Sequence, residues 1–150
     1  MKNLTLSLLA ILFLFGLMLT AGCGSTTDPT PVVEPTAAEQ VKTILTSGAW
    51  KIQSVAVDGA DQTNVYKGLS LSFTNTLVNA TNGGAVWLAS DTWKFADETG
   101  KSITRGDGIQ VTVEEATATK LVLKLTWTKT TLGSGRINSV KGVNVFTFGK

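Results

Sequence analysis

The stretch Leu121-Val122-Leu123-Lys124-Leu125-Thr126-Trp127 decides the fold class. Side chains of an extended chain point alternately to its two faces, so Leu121, Leu123, Leu125 and Trp127 form one apolar face, with Lys124 and Thr126 on the other. On a helix the same residues would be strewn around the axis and would bury nothing together. One face toward a core and one toward water is the pattern of an antiparallel sheet.

Outward from this strand the pattern repeats. Leu69, Leu71 and Phe73 alternate with Ser70 and Ser72, and Ile109, Val111 and Val113 with Gln110 and Thr112. Runs of β-branched and aromatic residues place candidate strands near 50–57, 69–74, 77–81, 86–89, 91–96, 101–105, 109–115, 120–128 and 143–148. The segment 86–89 alternates least and reads as loop or as the start of 91–96, which leaves about eight strands. Between them stand Asp58-Gly59, Asn82-Gly83-Gly84, Asp97 to Gly100 and Gly106-Asp107-Gly108, whose residues tolerate the positive φ of tight turns. Consecutive hairpins make a meander, and closing it removes the unpaired edges that invite aggregation. The expected fold is all-β, an up-and-down antiparallel barrel of about eight strands.

One short helix is expected ahead of the barrel. Thr36 followed by Glu39 has the spacing of a capping box, in which each side chain satisfies an orphan amide of the first turn. Ala38, Val41, Ile44 and Leu45 recur at helical spacing, and Ser47-Gly48 ends the run. Such a helix covers one end of the domain.

All three prolines, Pro29, Pro31 and Pro35, fall between residues 24 and 35 among Ser25, Thr26, Thr27 and Thr30. This composition cannot bury a core and makes a disordered, flexible linker. Before it, Lys2 precedes an apolar run from Leu8 to Met18 broken only by Gly16, and Thr20-Ala21-Gly22 lead to Cys23. The run is shorter than the ~20 residues of a spanning helix. The junction resembles the signal of bacterial lipoproteins, in which the peptide is cut before the cysteine, the thiol receives a diacylglyceryl group and the new amino terminus is usually acylated. The resemblance implies a signal peptide over 1–22, lipid attachment at Cys23, a linker over 23–35 and a folded domain over 36–150. It also implies a membrane partner through the lipid anchor. Only Asp28 and Glu34 follow the cysteine, with no acidic run of the kind that directs export to the cell surface, so the outer membrane facing the periplasm is the expected address. With one cysteine in the chain, the domain has to be stable without an internal disulfide.

The helix followed by Gly48-Ala49-Trp50, then Val57-Asp58-Gly59, the loop to Tyr66, Leu69 to Phe73, Trp93-Lys94-Phe95 and Leu121 to Trp127 is similar to the lipocalin-like domains of bacterial lipoproteins. In lipocalins a Gly-x-Trp motif opens the first strand and its Trp seals the closed end of an eight-stranded barrel. The resemblance carries that structural role to Gly48 and Trp50. For the arginine that usually packs on this Trp, the best match is Arg136, in an expected loop. No Thr-Asp-Tyr segment is present.

The chain has no histidine, so Ser-His-Asp and Cys-His catalysis and His-rich zinc sites are excluded. Glu114 and Glu115 are neighbours on a strand and are expected on opposite faces, which separates them as an acid/base pair. Asp58, Asp61 and Asp107 read as turn residues rather than calcium ligands, since their spacing is not that of an EF-hand loop. Gly83-Gly84 and Gly133-Ser134-Gly135 lack the lysine and helix of a phosphate cradle. Thirteen basic and eleven acidic residues, scattered along the chain, make no stripe for nucleic acid. No enzyme, cofactor or metal is expected.

Two functions from different classes remain. One is a binding module for a small apolar or amphipathic ligand, entering at the end opposite the helix, where the loops 60–68 and 82–87 bring Tyr66 and Trp87 to the rim. The other is a structural or protein-interaction domain of the envelope with a filled interior. An eight-stranded barrel is just wide enough for either, so interior volume discriminates between them. Trp50, Trp93 and Trp127 are expected in the core.

Overall fold

A computed structural model describes residues 34–133 and 136–150, with only the backbone of Gly133, Arg136 and Ile137. The expected signal peptide, Cys23 and the linker as far as Val33 lie outside the described residues. Glu34 to Thr36 are exposed and neither helical nor extended into a strand.

The chain begins with helix α1 (Ala37–Leu45). Its capping box is complete: the Thr36 amide donates to Glu39 Oε2 at 2.7 Å and the Glu39 amide to Thr36 Oγ1 at 3.2 Å. The strands follow as β1 (Ala49–Val57), β2 (Ala60–Asp61), β3 (Ser70–Phe73), β4 (Leu77–Thr81), β5 (Ser90–Phe95), β6 (Ser102–Arg105), β7 (Gln110–Ala116), β8 (Lys120–Trp127), β9 (Thr131–Gly133), β10 (Arg136–Ser139) and β11 (Gly142–Gly149). A 3-10 turn, Thr63–Tyr66, lies between β2 and β3.

Eight of these strands close an antiparallel barrel. The order runs β1-β3-β4-β5-β6-β7-β8-β11, and β11 returns to pair with β1, for example Val55 with Phe146. The two-residue β2 pairs with the end of β1 outside the barrel, and β9 with β10 forms a separate hairpin. The Asp58-Gly59 turn between β1 and β2 has φ of 48° and 83°, the left-handed pair that a tight hairpin requires.

The segment 86–89 is not a strand. The Trp87 amide donates to Gly83 O at 3.1 Å, so the chain turns here instead of extending. The residues after β8, which show no alternation, form the β9–β10 hairpin, including the Arg136 position expected in a loop.

A bulge between Val113 and Glu115 overturns the expectation for Glu114 and Glu115. The extra residue shifts the alternation by one. Glu115 then pairs with outward Val122, and both carboxylates lie on the outer face, Glu114 bound to Lys124 and Glu115 to Lys120 at 2.7 Å.

The helix covers the end of the barrel where β1 begins. The Ala38 amide donates to Glu98 O at 3.0 Å, and Leu45 is buried with Val41 and Ile44 packed against the core. Trp50 sits beneath it, fully buried, with its indole Nε1 donating to Leu45 O at 3.0 Å. Gly48 takes φ +151°, a conformation that residues with a Cβ rarely adopt, between helix and strand. The cation over Trp50 is Lys150, whose Nζ lies 4.5 Å from the ring centroid. The backbone of Arg136 belongs to the connection at the other end of the barrel, and its side chain lies outside what is described.

Candidate functional site

The end opposite the helix gathers the connections 58–69, 82–89, 106–109 and 128–141, because each follows or precedes a strand that runs toward it. The first two meet directly, Asn82 Nδ2 donating to Gly68 O at 3.2 Å. A Cβ on Gly84, which has φ +62°, would collide with the carbonyl of Asn138, so the second connection also lies tight against β10.

Tyr66 and Trp87 are brought together here, but not on a rim. Tyr66 is 1 % exposed and Trp87 3 %. Both rings pack edge to face on Phe146, at centroid distances of 5.1 and 5.6 Å. Each has more apolar surface than its loop can cover, and the inward row Phe146 and Phe148 offers an aromatic floor. Tyr66 keeps a polar handle: its hydroxyl donates to Asn144 Oδ1 at 3.1 Å and accepts from the Val140 amide at 3.4 Å. Asn144 in turn donates to Val140 O and Gly142 O. Burial pushes the Tyr66 hydroxyl above its ordinary pKa, with the Val140 amide opposing the shift.

Trp87 has a charged neighbour that sequence reasoning missed. Arg105, its side chain 1 % exposed, lies with its guanidinium carbon 4.9 Å from the Trp87 ring centroid. It donates to Val86 O at 2.7 Å and to Asp107 Oδ2 at 2.5 Å, and its Nε is 3.5 Å from Asp91 Oδ2. The signal was available. The alternation that puts Ile103 inside puts Arg105 inside as well, and Asp91 likewise shares the inward side of β5 with Trp93.

Among the described residues, two buried donors at this end have no acceptor, Trp87 Nε1 and Arg105 Nε. Arg105 Nε and Asp91 Oδ2, 3.5 Å apart, form an ion pair without a hydrogen bond. An unpaired buried donor costs roughly 1–3 kcal/mol. The Trp87 and Arg105 side chains border one apolar gap, with Phe73, Trp93, Ile103 and Leu123 among the other walls. The empty space amounts to about 200 Å³, none of it wide enough for a water molecule. The barrel interior is therefore closely packed around Trp87 and Trp93.

The remaining candidates fall into structural places. Asp58 Oδ1 accepts from the Val143 amide at 2.8 Å, and Asp107 Oδ1 from the Ile109 amide at 3.1 Å. The Thr63 hydroxyl, and then its amide, hold the exposed Asp61 carboxyl below its usual range. Among the described residues no three Cys, Asp or Glu side chains stand close enough to share a metal ion, and no helix is long and apolar enough to cross a membrane. Trp93 is buried and Trp127 half-buried, its Nε1 donating to Ser139 Oγ at 3.0 Å and so tying the hairpin to β8. Leu132 on that hairpin is left 75 % exposed. On the outer face of β5 and β6 an open groove of about 420 Å³ runs between Thr92, Lys94, Thr104 and Gly106.

A scan against protein-family models and searches of curated proteins and of solved structures find no match to this chain.

Proposed function

We propose that this chain is a lipoprotein of a bacterial cell envelope, held at the membrane through Cys23, whose lipocalin-like barrel serves as a structural or protein-interaction module rather than as an enzyme. The observation that carries this reading is the filled interior: Tyr66 and Trp87 turn inward onto Phe146, and the gap beside them admits no water. A barrel packed in this way has its outer surface and loops to offer, such as the exposed Leu132. Support against catalysis comes from the chain's lack of histidine and from the engagement of Asp58, Asp61, Asp91 and Asp107 by backbone, hydroxyl or guanidinium groups.

The test is mass spectrometry of the protein extracted from membranes under mild conditions. The expected result is a chain cut before Cys23 and carrying acyl groups, with no long-chain lipid copurifying at stoichiometric amounts. A stoichiometric copurifying fatty acid or phospholipid would overturn the filled-barrel reading, and an unmodified soluble form would overturn the anchor.

A second reading, the holding of a small molecule, is favoured by one observation. The buried Trp87 indole N–H has no acceptor among the described residues.

A further inference from the structure

The charges of this chain are not evenly mixed along its length. Residues 116–150 hold no aspartate or glutamate, while Lys120, Lys124, Lys129, Arg136, Lys141 and Lys150 all fall there. Three of these are engaged on the barrel, Lys120 with Glu115, Lys124 with Glu114, and Lys150 over the Trp50 ring. Lys129 and Lys141 are exposed and enter no ion pair among the described residues. They stand on either side of the β9–β10 hairpin: Lys129 O accepts from Ser139 Oγ at 3.3 Å, and the Lys141 amide donates to Thr130 Oγ1 at 3.2 Å. The carboxylate of Asp58 is near, but its Oδ1 is taken by the Val143 amide.

On the same hairpin lies Leu132, the most exposed large apolar side chain among the described residues. It is held there by the sheet below it. The Thr131 and Ser139 hydroxyls are 2.6 Å apart, and Ser139 accepts the Trp127 indole N–H, so this pair faces the barrel. Alternation along β9 therefore turns Leu132 the other way, into water.

One apolar side chain between two unpaired ammonium groups suits a lipid surface better than a protein one. A stable protein interface takes about 800 Å² from each partner. A bilayer asks for less, because its mobile anionic headgroups gather around cations while the acyl boundary accepts a single apolar side chain. The distance is also short enough. Fully extended at about 3.3 Å per residue, the linker over 23–35 reaches roughly 40 Å, whereas the eight residues of β8 span about 27 Å of barrel wall. A bilayer that holds Cys23 is thus within reach of the hairpin, although the hairpin lies at the end opposite the helix.

Resting on the anchor proposed above, we propose that the surface made by Lys129, Leu132 and Lys141 docks the barrel on anionic lipid headgroups, with Leu132 entering the acyl boundary. The membrane then holds the protein at two places, and the barrel lies against the bilayer instead of swinging on its linker.

The experiment places the anchored protein, extracted from membranes, in lipid discs containing spin-labelled phospholipid and follows its backbone amides by proton–nitrogen NMR. Discs of phosphatidylcholine are compared with discs of phosphatidylcholine and phosphatidylglycerol. The expected result is broadening at Leu132 and Lys141 in the anionic discs, little in the neutral ones, and none at Lys94 on the outer face of β5. Lys129→Gln and Lys141→Gln should each lower the ratio of docked to undocked protein about fivefold, and Leu132→Ser should lower it too, with the rest of the spectrum unchanged. Equal broadening in both kinds of disc would overturn the charge argument. An acylated chain whose hairpin stays sharp in anionic discs would overturn the docking and leave the anchor standing, whereas a chain without acyl groups that stays off the discs would overturn both. Hairpin signals that shift with protein concentration in the absence of lipid would assign this surface to a second copy of the chain and overturn the lipid assignment.

Discussion

The Trp87 indole meets the Phe146 ring edge to face, with centroids 5.6 Å apart, so that a residue from a connection outside the barrel sheet reaches the inward face of the last strand. Tyr66 reaches the same ring from another connection at 5.1 Å. Two loops thus supply the packing that closes the end opposite the helix.

Trp87→Ala is expected to cost about 3 to 5 kcal/mol, because it leaves a cavity among side chains held by the sheet. Urea unfolding measures this, with Leu132→Ser as the exposed control, expected to change stability by less than about 0.5 kcal/mol. A Trp87→Ala loss no larger than the control would mean that the indole does not sit inside in solution.

Trp50→Ala is expected to cost a similar amount, about 3 to 5 kcal/mol. That is a large part of a typical total of about 5 to 15 kcal/mol. Lys150→Ala should cost no more than about 1 kcal/mol, since the ammonium over the ring belongs to an exposed side chain. Thermal melting of the two variants side by side checks the ranking, and a larger loss for Lys150→Ala would contradict it.

Arg105→Met should destabilise by about 3 kcal/mol, the low end for breaking a buried pair, because a quarter of the Asp107 side chain remains in water. The variant also frees Val86 O from its hydrogen bond. Urea unfolding again reads the effect, and an unchanged midpoint would show that the two carboxylates do not depend on this cation.

Tyr66 is the only tyrosine, so its ionisation can be followed without interference by ultraviolet absorbance. Burial raises its folded-state pKa above the ordinary 10.0. By linkage the stabilisation from the neutral hydroxyl is fully present below that ordinary value and is lost as pH rises through the folded-state pKa. The titration should therefore lie above 10.0 and accompany unfolding, whereas Tyr66→Phe should remove this alkaline loss. A midpoint at the ordinary value in folded protein would contradict the burial.

How far the sequence reveals this molecule follows from where its signals are local. Leu121 to Trp127 alternates because each second side chain meets the same core, and the Asp58-Gly59 pair states its own φ requirement, so barrel class and turns are legible. The Thr36 and Glu39 spacing likewise announces its helix. Val86-Trp87 looks like a strand or a rim because an apolar pair carries no record of which way it turns, and the decisive partner, Phe146, lies far along the chain. Arg105 was hidden for the opposite reason: its place in the alternation points inward, but an arginine is expected outside unless Asp91 and Asp107 are known to wait there. The Thr131 to Ser139 hairpin is too short to alternate, and Glu115 was misplaced by a bulge that leaves no mark in composition.

Trp87, turned into the packed barrel, closes the end opposite the helix. Hydrogen exchange at the Trp87 indole N–H, followed by NMR in deuterated water, checks this, because the N–H has no acceptor among the described residues and is protected by burial. Exchange should be slowed to a rate comparable with that of the Trp50 indole, which is buried and hydrogen-bonded. Exchange as fast as that of a free indole, with Trp50 still protected, would contradict it.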